Sequence, residues 1–133
     1  MSYKLGLVSL FVRDVAKAQA FYVDFLGMKV VSEFSGPDFV FLVPTWGTPI
    51  ALQNVTTAPQ HLVGPPTGFE LNLEVEDVDA ALQEWKAGGV EVLSEITDMG
   101  AGRYFRARDP EGNPLTVYQF YDQIKVMRQQ LGL

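Results

Sequence analysis

The 133-residue chain has no cysteine, which excludes disulfides, thiolate metal sites and a cysteine nucleophile. It has a single histidine, His61, so a metal site built from several histidines of one chain is excluded too. Positive charge is scarce: 10 Lys and Arg face 16 Asp and Glu, a formal net charge of −6. Phosphates need a basic footprint, so nucleic acid is not an expected partner, and a neutral or cationic one suits this balance better. No apolar run is long enough to cross a bilayer, and no basic segment followed by an apolar one opens the chain. Neither a membrane partner nor secretion is expected, and a cytoplasmic location follows by default. What is present, 47% hydrophobic and 20% charged residues, is the balance of a folded domain.

The chain repeats itself. Leu10, Val12, Asp14, Val15 and Ala18 return as Leu73, Val75, Asp77, Val78 and Ala81, each 63 residues later. Gly27, Val30, Ser32 and Glu33 return as Gly89, Val92, Ser94 and Glu95 at an offset of 62. Gly47-Thr48-Pro49-Ile50 matches Gly112-Asn113-Pro114-Leu115 at an offset of 65. Offsets that drift by loop-sized steps point to two copies of one unit, about 4–56 and 67–121, within a single domain of residues 1–133. Between them, residues 57–66 carry Pro59, Gly64, Pro65 and Pro66 and read as a linker, with His61 as a solvated loop residue.

Each copy reads as βαβββ. Lys4 to Val12 alternates and predicts a strand. Asp14 then predicts an N-cap, and Ala18, Phe21, Tyr22 and Phe25 recur at helical spacing up to Gly27. Strands follow at about 28–34, 38–44 and 48–55. The second copy predicts a strand at 68–75, a helix from Asp77 to Gly88-Gly89, and strands at 90–96, 102–108 and 114–120. Residues 121–131 read as an amphipathic helix, with Ile124, Met127 and Leu131 on one side, packed on the outside. The expected fold class is α+β: a curved eight-stranded mixed sheet, helices on its convex face, and a concave pocket.

Val12-Arg13-Asp14-Val15, Phe21-Tyr22 and Phe25-Leu26-Gly27-Met28 resemble the opening signature of the vicinal oxygen chelate superfamily. Ala101-Gly102-Arg103-Tyr104-Phe105 and Asp109-Pro110-Glu111-Gly112-Asn113-Pro114 resemble its closing one. That superfamily includes glyoxalase I, extradiol dioxygenases, fosfomycin-resistance enzymes and bleomycin-resistance proteins. The resemblance implies that metal-dependent members take ligands from the first and last strands of each module, His or Gln on the first and Glu on the last. Those positions fall here on Leu7, Ala51, Glu70 and Thr116, and the two pairs obey the repeat offsets of 63 and 65. Only Glu70 offers a good donor, so no metal and no cofactor is expected.

Alternation places Leu7, Ser9 and Phe11 on the concave side, with Ala51, Gln53, Glu70, Asn72, Glu74, Thr116 and Tyr118. The opposite registers, Val8, Leu10 and Val12 and Leu71, Leu73 and Val75, are aliphatic and belong against the helices. Trp46 and Phe39 or Phe41 either stack on a planar ligand or pack as ordinary core or at a dimer interface. Glu70, raised in pKa by burial, would serve as a proton shuttle or as counter-charge to a cationic ligand; otherwise it reaches solvent or bonds Asn72 or Tyr118. Asp109-Pro110-Glu111-Gly112 reads as turn chemistry, and Arg103, Arg106 and Arg108 as a solvated or salt-bridged edge.

Two functions follow as expectations. One is a metal-free small-molecule binding protein of the bleomycin-resistance type, with a cationic drug as a candidate ligand. The other is a lyase or isomerase related to glyoxalase I, with Glu70 as base. The resemblance implies a two-fold dimer with clefts lined by both chains, and Phe39-Val40-Phe41-Leu42-Val43, apolar on both faces and wanting cover on both, agrees with it, so a homodimer is expected.

Overall fold

The computed structural model describes residues 1–25, 27–45, 47–58, 68–108 and 114–133. Trp46, His61, most of the proline-rich linker and the Asp109-to-Asn113 turn lie outside the described residues. The strands are β1 (Lys4–Val12), β2 (Lys29–Val30), β3 (Phe39–Val43), β4 (Ile50–Asn54), β5 (Phe69–Glu74), β6 (Glu91–Val92), β7 (Thr97–Asp98), β8 (Gly102–Arg108) and β9 (Pro114–Phe120). The helices are α1 (Val15–Ala20), α2 (Val78–Ala87) and α3 (Asp122–Gln130). The order across the sheet is β2-β3-β4-β1-β5-β9-β8-β6, with β7 paired to β8. It is an open mixed sheet: β1–β4 and β5–β9 are parallel, and the other pairs antiparallel.

Among the described residues the sheet has nine strands rather than the eight expected, because the region read as one strand over 90–96 forms β6 and is followed by β7. The first module's 28–34 segment likewise shortens to β2, with a 3-10 turn at Ser32–Phe34. The two halves are built alike from the same local chemistry. Asp14 accepts a hydrogen bond from the Lys17 N–H at 3.0 Å, and Asp77 accepts one from Ala80 at 3.0 Å. Each satisfies an otherwise orphaned donor of a first helical turn. Downstream, Gly27 and Gly89 both adopt φ +76°, the left-handed conformation that lets the chain leave a helix and that a side chain would strain. The first helix has an additional feature: it loosens into a π-helical turn at Phe21–Phe25.

Both helices cover one face of the sheet. Val15 of α1, with Ala18, Tyr22 and Val23, packs on Leu10, Val40, Leu42 and Leu52. Val78, Ala81 and Leu82 of α2, with Trp85, pack on Val75, Phe105, Ala107 and Val117. This is the aliphatic register of each strand, so the other register faces the distal side of the sheet. No helix among the described residues is long and apolar enough to cross a membrane.

Candidate functional site

Strand register brings the described site candidates onto the distal face. Ser9 lies between Ala51 on β4 and Glu70 on β5, and Phe11 lies beside Gln53. Leu7 pairs with Asn72, Asn72 with Thr116, and Glu74 with Tyr118. The pairing is internally symmetric: Ser9 opposite Glu70 maps, on adding 63 to one residue and subtracting it from the other, onto Asn72 opposite Leu7. Ser9, Ala51, Glu70, Asn72, Thr116 and Tyr118 are buried, while Leu7, Phe11 and Gln53 are half-buried. Phe41, on the same face, packs edge-on against Phe34 with ring centroids 5.6 Å apart.

Polar groups on this face are knitted together. The Asn72 amide donates to the Leu7 carbonyl and the Ser9 hydroxyl, each at 3.1 Å, tying the two central strands. Glu70 is only 3% exposed, and its carboxylate meets neither Asn72 nor Tyr118. Its partner is Arg106, whose Nε lies 3.4 Å from Oε2. Burial raises the Glu70 pKa above its usual 4.5, and the Arg106 charge acts against that rise, as does the neighbouring Thr116 hydroxyl. Thr116 nevertheless makes no hydrogen bond of acceptable geometry and counts as a buried polar group without a partner among the described residues.

Arg106 is the residue that sequence reasoning placed at an edge. It sits on the same face as Thr116, its direct neighbour across β8 and β9, and alternation counted across that hairpin would have located it. Arg103 points to the helix side and pairs with Asp79, and Arg108 pairs with Glu91 at 3.8 Å. The salt-bridged reading of this run holds, but one of its bridges lies inside the site.

The C-terminal helix lies over the distal face of the sheet, with none of its own residues fully buried. Arg128 of α3 donates to Glu74 on the distal face at 2.7 Å and stacks over Phe120, 5.3 Å from the ring centre. The start of α3 is anchored by Tyr121, whose N–H reaches the Ala101 carbonyl at 3.0 Å and whose hydroxyl donates to Asp98. That last bond holds the Asp98 carboxyl below its usual range. Near its other end, Leu131 and Leu133 line a hollow of about 400 Å³ with Val30, Val43 and Pro44. The helix therefore caps one end of the distal face. A 3.6-residue apolar stripe shows that a helix has an inner side, not which surface receives it.

Close packing at this capped end requires Gly6. A Cβ there would lie 2.0 Å from the Tyr118 hydroxyl and 3.1 Å from Cζ, so no larger residue fits while Tyr118 keeps its place. Gly6→Ala is expected to cost about 1–3 kcal/mol in urea denaturation, the usual cost of overpacking. Tyr118→Phe removes the nearest colliding atom, so the double variant should lose less than the two single losses combined. Simple additivity would show that Tyr118 has room to move.

The four positions equivalent to a metal site, Leu7, Ala51, Glu70 and Thr116, supply one carboxylate, one hydroxyl and two hydrocarbon side chains. The carboxylate is already engaged by a guanidinium, which a divalent ion would have to displace. Among the described residues, no three His, Cys, Asp or Glu come together. This donor set does not fit a divalent ion.

The model of the Glyoxalase/Bleomycin resistance protein/Dioxygenase superfamily matches residues 4–117. The chain belongs to this superfamily. No curated protein matches the sequence significantly. Among solved structures, methylmalonyl-CoA epimerase from Mycobacterium tuberculosis is similar with a TM-score of 0.72 and 22% identity, covering 92% of this chain and 91% of that one. A glyoxalase/bleomycin resistance protein/dioxygenase superfamily member from Vibrio splendidus gives 0.64 and 22%, covering 89% and 99%. Homoprotocatechuate 2,3-dioxygenase from Brevibacterium fuscum gives 0.64 and 23%, covering 88% of this chain and 32% of that one. At these identities the likeness is one of fold, and the superfamily's scaffold carries more than one chemistry.

Proposed function

We propose that this superfamily member binds a small organic molecule on the distal face of its sheet without using a metal. The observation that carries this reading is the donor set at the four equivalent positions, two of them hydrocarbon and the third ion-paired. Aromatic and aliphatic side chains, with a few fixed polar groups among them, form the lining such a ligand needs. The cationic ligand suggested by a lone Glu70 loses its rationale, because Arg106 already supplies the cation. Phe39, Phe41 and Val43 remain half-buried on the same face, which supports a homodimer whose second protomer completes the cleft.

A second reading keeps Glu70 as a base in a lyase or isomerase, favoured by its burial and raised affinity for protons. The two part company on whether a bound ligand is recovered unchanged. For the first reading, dialysed protein is expected to carry no stoichiometric divalent metal by elemental analysis and to sediment as a dimer. A metal retained at one per chain would overturn it, and a concentration-independent monomer of 14.8 kDa would remove the shared cleft.

A further inference from the structure

The polar cluster on the distal face is only partly satisfied, and the groups left over describe what would complete it. Thr116 Oγ1 is buried, in a residue only 4% exposed, with no hydrogen-bond partner among the described residues. Leaving such a group unmatched is costly, and folded proteins seldom do so without a reason. Arg106 lies beside it, directly across the β8–β9 ladder. Its backbone N–H is bonded to the Ser94 hydroxyl, its plane stacks 4.7 Å from the Tyr104 ring centre, and its Nε points to Glu70. The two terminal amino groups, Nη1 and Nη2, have no partner among the described residues. The guanidinium is thus held on one edge and on one face, with the other edge unpartnered among the described residues.

Building on the metal-free binding reading above, we infer that Arg106 and Thr116 form a subsite for a carboxylate carried by the small-molecule ligand. Nη1 and Nη2 present two parallel N–H donors, the geometry that matches a planar carboxylate, and the Thr116 hydroxyl adds a third. Glu70 is a positioning residue, fixing the guanidinium through Nε so that little side-chain freedom is lost when the ligand arrives. A lysine in place of Arg106 would supply the charge but not the fork.

The test titrates the full-length protein with benzoate and 2-naphthoate and with their primary amides, following side-chain N–H signals by NMR. The acids are expected to bind roughly tenfold tighter than the amides, or more, and to shift the Arg106 Nε–H signal. Thr116→Val deletes only the unpartnered hydroxyl, so the melting temperature should stay level or rise. Acid affinity should fall about three- to tenfold, with amide affinity unchanged. Arg106→Lys, which keeps the charge without the fork, should weaken the preference for acids but not remove it. Equal affinity of acids and amides, or Thr116→Val binding acids as well as the parent, would overturn the subsite while leaving small-molecule binding standing. Acids that fail to bind at all overturn it as well. Failure of the underlying reading shows separately, as a stoichiometric metal retained through dialysis.

Discussion

Phe105→Ala is expected to destabilise the fold by about 3–5 kcal/mol, the range for truncating a fully buried aromatic side chain. Phe105 is fully buried, and its ring meets Trp85 of α2 edge-on at 5.5 Å and 83°. It sits in the cluster that joins β8 and β9 to α2 through Val78, Ala81, Leu82 and Val117. Removing it deletes apolar burial and leaves a cavity that α2 and the sheet cannot close without moving apart. A loss of this size is a large part of the stability of an ordinary domain. Urea denaturation should show a lower midpoint at an unchanged slope. A loss below about 1 kcal/mol would mean that Trp85 refills the space, contrary to the packing described.

Arg106→Ala carries the second large effect, and its dependence on pH identifies the cause. Removing one partner of a buried ion pair costs about 3–5 kcal/mol when the other must stay charged. Glu70 can escape by taking up a proton, and Arg106 is itself 18% exposed, so about 2–3 kcal/mol is expected near neutral pH. Glu70 has a folded-state pKa raised above the unfolded value of about 4.5. A group shifted in this direction contributes stability that is fully present below the unfolded pKa and lost as pH rises through the folded one. Without Arg106 the shift upward grows, so the penalty of ionising Glu70 grows with it. Denaturation of parent and variant should therefore differ most near about pH 8 and least near about pH 4.5, where only the lost packing on Tyr104 remains. Adding Glu70→Gln should return most of the neutral-pH loss, because the amide no longer needs a counter-charge. A deficit that is constant across this range would show that Arg106 acts through packing alone.

The local elements were readable because each rests on nearby residues. Asp14 and Asp77 start helices by accepting hydrogen bonds three residues on, and Gly27 and Gly89 end the same stretches at one backbone conformation. The composition of the two faces was readable from alternation alone, and Leu7, Ser9, Phe11, Ala51, Gln53, Glu70, Asn72, Thr116 and Tyr118 share a face because register cannot slip by one residue without exposing the core. The ninth strand was missed because Thr97 and Asp98 carry no apolar alternation, and their strand character comes from pairing with Tyr104 and Arg103.

Charge partners were where reasoning along the chain stopped. Glu70 and Arg106 are 36 residues apart, and Glu74 and Arg128 are 54 apart. By itself the sequence determined that the protein is a repeated α+β unit and that one sheet face is aliphatic and the other polar. Only the tertiary structure decided that Arg106 neutralises Glu70, that α3 caps the distal face through Arg128, and that Thr116 is left without a partner among the described residues. The physical reason is one of range: periodicity and capping act over one to four residues, so composition reveals them. The satisfaction of a buried charge depends on which side chain from a distant strand arrives within about 3–4 Å, and that is set by packing.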